Sequence, residues 1–483
     1  MRNPLAVAVT ALMLLSCSDF SALRNQRPES SSGAEALNMR LAGYSDLQGR
    51  SAFQPVIVEQ NGRWIAYVGH HGGTALNPLT GKTEANGTSI LDVTDPRQPH
   101  YLHQIATREG TLAGGEGSGA QMVQVCAGRQ LPKADPNKFY MLRTDGSRAH
   151  EVWDVTSPER PAFVTTIVGN LQSTHRQAWE CDTGIAYLNS GLEGWRVLRM
   201  TQVFDLSDPT SPKHVRDFAL PGQEPTAPMP RDRRDRDGHG PFSMGPKVNR
   251  LYFGYGSVQS GGLQIVDRQK LLGGAKEPTA QNLLYPQIAY LPLGKYHAVH
   301  AMYPLLGMEI AEYEKDSKGR ARDFILLLPE PLANECREER QLLFVVDITN
   351  ETQPIGVSTF RVPERLGDFC SRGARFGTHG TNENMTAIYH KRIVFVSWFN
   401  AGVRALDVRD PYALKEIGYY VPAPNANTEP SCVKTEGGER CKVSIQTNNV
   451  EVDDRGFIYM TDRNKTGMHI LELTGPARAI ANF

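Results

Sequence analysis

The chain contains 483 residues, of which 52 are acidic and 52 are basic, so its formal net charge is zero. Proteins that bind nucleic acids concentrate Lys and Arg on one surface to neutralise phosphates, so this balance predicts no nucleic-acid partner. Hydrophobic residues make up 40% of the chain. No linker is apparent after residue 36, which predicts a single large domain over residues 36–483.

The N-terminus has the features of an export signal. Arg2 supplies a positive charge, and the apolar run over residues 5–15 is too short to span a bilayer. The sequence Leu-Leu-Ser-Cys at residues 14–17 resembles the bacterial lipoprotein signal. The resemblance implies that residues 1–17 carry the signal, that Cys17 is lipidated, and that the chain is anchored in a membrane of the bacterial cell envelope, facing the periplasm or the cell surface. An ordinary secretory signal cleaved nearby is the alternative.

The segment after this signal, residues 18–35, is rich in Ser, Arg, Glu and Asn. Such a composition buries too little apolar surface to fold, so it predicts a flexible tether.

A short apolar strand followed by a tight turn recurs along the rest of the chain. Its first copy is Ile-Leu-Asp-Val-Thr-Asp-Pro at residues 90–96, and an Asp/Ser-Pro pair ends several copies because Pro cannot continue a central strand. The acidic position of the motif recurs at intervals of 51 to 80 residues, at Asp92, Asp154, Asp205, Asp267, Asp347, Asp407 and Glu472. We expect this side chain to cap the turn through backbone N–H groups, not to act in catalysis.

Each copy of the motif lies between other apolar segments. Around the first copy these are Trp64–Val68 before it and Pro99–Ile105 after it, and a further strand precedes them. Four strands in each of seven units predict an all-β fold, a seven-bladed β-propeller with four-stranded antiparallel blades. No long 3.6-residue periodicity competes with this interpretation.

The repeated unit resembles the LVIVD repeat family of bacterial exported propellers. It consists of two hydrophobic residues, Asp, a hydrophobic residue, Ser or Thr, Asp and Pro. The resemblance extends over about residues 36–476. It implies a scaffold and no single activity.

The seventh unit ends soon after its third strand. Residues 36–46 resemble an outer strand, Lys415–Tyr419, of the sixth unit. We therefore expect the N-terminal strand to complete the final blade and close the ring, which removes an exposed sheet edge. The tail after Pro476 is the competing candidate.

Six cysteines besides Cys17 predict three disulfides, which suits an oxidising compartment. Cys126 and Cys181 end equivalent inner strands of adjacent blades, whereas the other two pairs lie in loops. The predicted bridges are Cys126–Cys181, Cys336–Cys370 and Cys432–Cys441. A cysteine metal site is the alternative, although the chain has no Cys-x-x-Cys motif.

Most of the insertion length falls in loops that share one face of the ring, those joining strand four to the next strand one and strand two to strand three. Because such loops grow without disturbing a scaffold, this long-loop face is the predicted binding face, with a small molecule, a glycan or a protein as its ligand.

Four histidines begin the inner strands of blades three to six: His175, His239, His300 and His379. Their spacings of 64, 61 and 79 residues follow the blade period. Inner strands begin at the mouth of the axial channel, so these imidazoles should converge there and bind a divalent metal such as Mn, Fe, Cu or Zn. A hydrated polar lining of the channel is the alternative. His297 is an alternative to His300, since strand alternation does not let both side chains point the same way.

Several other polar residues are candidates for contacts with a ligand or a substrate. Gln121, Asn448 and Gln54 occupy comparable places on the remaining blades, and Glu383 follows His379 closely.

We expect His70 and His71 to be solvated loop residues, with rim contacts as the alternative. The mixed-charge run over residues 231–237 is expected to be a solvated loop, with a gate for an anionic substrate as the alternative.

Two classes of function remain open. The first is a metal-dependent enzyme, a lyase or an oxidoreductase, by analogy with propellers that use axial histidines. The second is a non-catalytic lipoprotein scaffold whose long-loop face recognises a protein or a glycan. No nucleotide cofactor is predicted, because no phosphate-binding glycine loop joins a strand to a helix.

Overall fold

The computed structural model describes residues 33–107, 118–228, 237–257, 259–310, 321–339, 342–363 and 367–483. The predicted signal and nearly all of the predicted tether lie outside these residues. Within the described part of the chain, no helix has both the length and the apolar character needed to cross a membrane.

Seven four-stranded antiparallel sheets form a ring, which confirms the predicted seven-bladed β-propeller. We number the blades in chain order. The strands are, in blade 1, Ala52–Gln60, Arg63–His71, Gly87–Asp92 and His100–Ala106; in blade 2, Val123–Ala127, Phe139–Asp145, Ala149–Asp154 and Ala162–Val168; in blade 3, Gln177–Trp179, Ile185–Ser190, Met200–Asp205 and Lys213–Phe218; in blade 4, Gly238–Ser243, Arg250–Gly256, Gly261–Asp267 and Gln287–Leu293; in blade 5, Val299–Met308, Arg322–Pro329, Leu343–Asp347 and Ile355–Phe360; in blade 6, Ile393–Ser397, Val403–Asp407, Lys415–Val421 and Glu35–Leu37; and in blade 7, Thr447–Val452, Ile458–Asp462, Met468–Leu473 and Met39–Ser45.

Short elements decorate this ring. Gly119–Ala120 pairs with the second strand of blade 1, and two hairpins are formed by Thr74–Asn77 with Lys82–Ala85 and by Pro430–Thr435 with Gly438–Val443. Among the described residues, the α-helices are Gly245–Val248, Arg268–Gly273, Ala280–Leu284 and Gly475–Arg478, and the 3₁₀ turns are Leu47–Gly49, Gly128–Gln130, Asn334–Cys336 and Cys370–Arg372.

The core consists of apolar clusters between neighbouring blades, one for each of the seven blade interfaces. Each sheet is apolar on both faces, so each blade can bury its surface only against the next. The cluster of Ala66, Val68, Met468 and Ile470 joins blade 7 to blade 1. This interface closes the ring.

The N-terminal segment closes the ring as predicted, and it does so in two blades. Met39–Ser45 pairs with Met468–Leu473 as the outer strand of blade 7. The preceding Glu35–Leu37 pairs with Lys415–Val421 on blade 6. The innermost segment of blade 6, around His379, keeps backbone hydrogen bonds to Ile393–Ser397 without forming a regular strand.

The acidic residue of the repeat caps its turn, which confirms the expected structural role. Asp92 accepts a hydrogen bond from the N–H of Thr94 at 2.8 Å, and Asp154 accepts one from the N–H of Thr156 at 3.0 Å. Blade 7 differs, because Glu472 instead pairs with Arg40 of the N-terminal strand at 2.8 Å. An Asx turn fixes the end of the strand without help from the rest of the fold, which explains why the motif recurs.

The three predicted disulfides are present: Cys126–Cys181, Cys336–Cys370 and Cys432–Cys441. The first joins blades 2 and 3, the second joins two loops on the long-loop face, and the third spans one hairpin. Such bridges fit a chain that folds in an oxidising compartment.

Candidate metal site

The four histidines predicted from the blade period lie together at the channel axis. Ring centroids are 5.7 Å apart for His175 and His239, 5.7 Å for His175 and His300, and 5.3 Å for His239 and His300. His379 stacks on His300 with a centroid distance of 3.8 Å. Successive inner strands therefore bring residues far apart in sequence into one cluster.

Phe53 occupies the centre of this cluster. It is fully buried, and its ring lies 5.5 Å from that of His175 and 5.8 Å from that of His379. The sequence analysis had placed Gln54 at this position in blade 1. Gln54 instead accepts a hydrogen bond from Asn449 at 3.3 Å, and the adjacent phenyl ring separates the imidazoles and fills space that water would otherwise take.

Hydrogen bonds to oxygen acceptors decide which ring nitrogen of each histidine carries the proton. The Nδ1–H of His300 donates to the carbonyl of His379 at 2.8 Å, and that of His379 donates to the carbonyl of Asn448 at 2.7 Å. His175 donates from Nδ1 to Oε1 of Gln121 at 2.7 Å. A carbonyl can only accept, so Nε2 of a neutral ring keeps its lone pair.

These lone pairs are buried. Among the described residues, neither Nε2 of His300 nor Nε2 of His379 has a hydrogen-bond partner. A buried polar atom without a partner is costly in a folded protein and calls for an explanation. An imidazole held through Nδ1–H by a carbonyl, with Nε2 left bare, is the arrangement of histidines that ligate metals.

The surroundings keep these imidazoles neutral. Burial lowers the pKa of His175, His300 and His379 well below the usual 6.5. Arg199 adds to this effect on the pKa of His175, and Arg463 adds to it on the pKa of His379. A neutral ring is the form that donates a lone pair to a metal.

Glu330 adds a carboxylate that the sequence analysis missed. One ligand atom from each of His300, Glu330 and His379 lies within 4.8 Å of the others, and all three residues are buried. Glu330 follows the second strand of blade 5, Arg322–Pro329. In an antiparallel blade the second strand ends beside the start of the inner strand. The residue that follows a second strand therefore also reaches the axis, and this position is a sequence signal for further ligands.

The carboxylate of Glu330 is also paired with arginines. Arg375 donates to it at 2.9 Å, and a nitrogen of Arg463 lies 3.8 Å from it. These contacts orient Glu330 toward His379, whose Nε2 is 3.7 Å from the carboxylate.

The cluster lines a cavity of about 160 Å³. Its floor and walls are polar, whereas Leu198 and Leu332 at its edge are 46% and 40% exposed. Both leucines lie in connections of the long-loop face, so the cavity opens where ligand entry was predicted.

Asp237, from the mixed-charge run, lines the cavity and accepts a hydrogen bond from the N–H of Leu198 at 3.0 Å. Residues 231–236 of that run lie outside the described residues.

The expectation that His70 and His71 are solvated loop residues is wrong. The second strand of blade 1 extends through both, and both are buried. His70 bonds Oγ of Ser89 at 2.7 Å, whereas His71 lines the cavity beside Phe53. Strand pairing with Gly119–Ala120 carries these histidines into the interior, and this contact has no local sequence pattern.

The remaining candidates separate into two groups. Gln121 and Asn448 contact the cluster through the hydrogen bonds to His175 and His379 described above. Glu383 and His297 lie elsewhere. Glu383 pairs with Arg176 and lines a separate cavity of about 300 Å³, and the ring of His297 packs 5.1 Å from that of Phe344. His297 therefore does not replace His300 in the cluster.

No protein-family model and no curated protein matches the chain. Similar solved structures include Raptor from Chaetomium thermophilum, at 8% identity and a TM-score of 0.47. The match covers 94% of this chain and 30% of the Raptor chain. They also include the WD40 propeller domain of Doa1, at 9% identity and a TM-score of 0.45, with coverage of 92% of this chain and 99% of that one.

Proposed function

We propose that the axial cavity binds a divalent metal ion through His300, His379 and Glu330, with His175 and His239 completing the site. The observation that carries the proposal is the pair of buried Nε2 lone pairs beside a carboxylate, with ligand atoms within 4.8 Å of one another. Coordination would give Nε2 of His300 and Nε2 of His379 the partner that each lacks among the described residues.

The donor set suits a transition metal. Imidazole nitrogen with one carboxylate oxygen is typical of sites for Zn, Fe, Cu or Mn, whereas Ca and Mg prefer oxygen donors. A bound ion of this kind would supply Lewis-acid or redox chemistry. The chain itself holds the histidines neutral, fixes their tautomers through Gln121 and two backbone carbonyls, and keeps water from the centre with Phe53.

We further propose that the chain is a lipid-anchored propeller of the bacterial cell envelope, of the LVIVD repeat type, and that the metal site serves a lyase or an oxidoreductase. The lipoprotein-like residues 14–17, the three disulfides and the repeat support the location. The opening of the metal cavity on the long-loop face supports the activity, because a substrate can reach the site from there.

Metal content tests the first proposal. Untagged protein should be equilibrated in turn with Mn, Fe, Cu and Zn, desalted and analysed by elemental mass spectrometry. The expected result is about one ion per chain in the wild type and in His297→Ala, which removes a histidine outside the cluster. His239→Ala and His379→Ala should lose the ion while keeping their circular dichroism spectrum. A wild type that binds none of the four metals would refute the proposal and favour the non-catalytic scaffold.

A further inference from the structure

The part of the chain that the structure describes begins at the long-loop face. Glu35 pairs with Val421, from which a connection of that face leads to blade 7. The carboxylate of Glu35 also accepts a hydrogen bond at 2.5 Å from Arg372, which lies in another connection of the same face. The chain that carries the proposed lipid on Cys17 therefore joins the propeller at the long-loop face.

The chain between the proposed anchor and the propeller is short. Residues 18–32 separate Cys17 from Gly33, and a chain of this length spans at most about 55 Å when fully extended. An anchored propeller stays within that distance of the bilayer, and its point of attachment lies on the long-loop face. Of the two faces of the ring, this is the one that the anchor holds toward the lipid.

A hairpin of blade 1 projects two leucines from the same face. It lies in the connection between the second and third strands of the blade, where Thr74–Asn77 pairs with Lys82–Ala85. Leu76 on its first strand is 57% exposed, and Leu79 in its turn is 44% exposed. These side chains leave apolar area in water that the interfacial region of a bilayer can bury.

The hairpin is held firmly although it lies outside the core of the blade. The fully buried Arg50 donates to the carbonyl of Ala75 at 3.1 Å and to Oδ1 of Asn86 at 2.7 Å. Within the hairpin, Nδ2 of Asn77 donates to the carboxylate of Glu84 at 2.9 Å. Because the backbone that carries the leucines is already ordered, their insertion into another phase costs little further conformational entropy.

Other exposed apolar side chains lie around the same face. Val443 is exposed at the end of the second hairpin, and Leu198 and Leu332 are exposed at the opening of the metal cavity. They come from connections of different blades, so they form no single contiguous patch of the kind that a folded protein partner covers. A fluid bilayer accepts separate side chains, and this arrangement therefore favours lipid as the partner.

From these features we infer that the long-loop face docks on the lipid bilayer that holds the anchor. Leu76 and Leu79 insert among the lipids, and the opening of the metal cavity is turned toward the bilayer. The acyl chains on Cys17 keep the protein at the membrane, whereas the hairpin fixes its orientation there. This inference rests on the proposed lipid anchor and adds the membrane surface as the partner of the long-loop face.

The first test measures orientation in the full-length, lipidated chain reconstituted in phosphatidylcholine vesicles. A tryptophan is introduced as Leu79→Trp, and its fluorescence is compared in vesicles of plain and of brominated phosphatidylcholine, which quenches tryptophans that contact acyl chains. After subtraction of the wild-type signal, bromination should lower the fluorescence of Leu79→Trp at least twofold. The matched control is Ile355→Trp, at an exposed position on the opposite face, whose fluorescence should not change.

The second test measures docking without the lipid. The chain from residue 18 onward is mixed with phosphatidylcholine vesicles, and the bound fraction is measured by sedimentation. Leu76→Ser combined with Leu79→Ser should weaken this binding at least tenfold, whereas Ile355→Ser should leave it unchanged. Circular dichroism shows that each variant keeps the fold.

Equal quenching in Leu79→Trp and Ile355→Trp would overturn the inference while leaving the lipid anchor intact. If mass spectrometry of the full-length product finds no lipid on Cys17, the anchor proposal fails separately, and the unlipidated chain then decides the matter. Vesicle binding that requires Leu76 and Leu79 would support the docking face, and absence of binding would refute it. An unlipidated chain that ignores vesicles but forms dimers, which the double serine variant dissociates, would assign the leucines to a contact between two copies instead.

Discussion

Two backbone carbonyls, those of His379 and Asn448, hold the Nδ1–H groups of the stacked pair His300 and His379. Backbone acceptors cannot be removed by substitution, so the tautomer of this pair is fixed by the fold. His175 differs, because its acceptor is the side chain of Gln121. The contribution of that acceptor can therefore be measured.

Gln121→Leu should weaken metal binding by about tenfold, because loss of the partner that orients a ligating histidine costs about 10–100-fold in affinity. Competition with a chromophoric chelator measures the change. Gln60→Leu is the matched control, since Gln60 is also buried and bonds the carbonyl of Val155 and the hydroxyl of Tyr67. Equal affinities in Gln121→Leu and the wild type would show that His175 is not a ligand.

Acid should destabilise the fold through buried histidines outside the site, and His469 isolates this effect. Burial lowers the pKa of His469 to about 3, and its Nδ1 has no partner among the described residues. The unfolded chain takes up this proton near pH 6.5, whereas the folded chain does not. The stability that depends on neutral His469 is therefore complete above about pH 6.5 and falls as the pH drops below it, by about 1.4 kcal/mol per pH unit.

His469→Phe removes that dependence. The free energy of unfolding of the variant, relative to the wild type, should rise by about 1 kcal/mol between pH 6.5 and pH 5.5 in urea titrations, because the unfolded chain is only half protonated at pH 6.5. His100→Phe, at an exposed strand position, is the matched control for the substitution itself. A difference between His469→Phe and the wild type that is constant with pH would contradict the expected burial of a neutral ring.

At the residue scale, the sequence was informative where a position repeats from blade to blade. His175, His239, His300 and His379 were found because their spacing follows the blade period. Glu330 and Phe53 occur once each and belong to no periodic pattern, so only the folded ring brings them to the axis. His71 was misplaced because the strand that holds it is extended by pairing with a distant segment.

Among the elements, the loop pair joined by Cys336–Cys370 bears most directly on the site. Glu330 precedes this bridge by a few residues, and His379 follows it on the other loop. The N–H of Glu335 donates to the carbonyl of Ala374 at 2.8 Å. The bridge therefore ties together the two connections that carry two proposed ligands.

Cys336→Ser combined with Cys370→Ser should weaken metal binding at least tenfold. The control is the corresponding double variant of Cys126–Cys181, which joins blades 2 and 3 away from Glu330 and His379. The two bridges span 34 and 55 residues, so both losses should destabilise the fold by similar amounts, about 3–4.5 kcal/mol each. Parallel metal titrations and urea unfolding separate the two effects. Equal metal affinities in the two double variants would show that the loop bridge has no role in the site.

Most of the strands were predictable, because each repeat unit alternates apolar runs with turn residues that act locally. The exceptions depend on tertiary contacts. Glu35–Leu37 joins blade 6 as its outer strand, and the inner segment of blade 6 near His379 forms no regular strand. Neither feature follows from local propensity, since an outer strand is defined by the edge that it covers.

For the whole molecule, stability depends on closing a ring of seven blade interfaces. The N-terminal strand supplies this closure in blade 7, where Met39 is 4% exposed and packs in the cluster between blades 6 and 7. Gly43 lies so close to blade 1 that an added Cβ would come within 1.8 Å of the carbonyl oxygen of Pro96. The strand therefore fits tightly between two blades.

A chain that begins at Asp46 should be much less stable than one that begins at Gly33. Loss of Met39 burial alone removes about 1.5–3 kcal/mol, and the exposed edge of blade 7 adds to this. Thermal unfolding followed by circular dichroism gives the comparison, and addition of a peptide covering residues 35–45 should recover part of the loss. Equal unfolding midpoints for the two chains would contradict closure by this strand.

The ring matters for function because it brings single residues from separate blades to one axis. Anomalous diffraction from crystals of the metal-loaded protein, recorded at the absorption edge of the bound metal, tests this claim most directly. We predict one anomalous peak in the axial cavity, at about 2.0–2.2 Å from Nε2 of both His300 and His379 and from a carboxylate oxygen of Glu330. A cavity without a peak in crystals of protein that carries the metal, or a peak bound by other residues, would contradict the account.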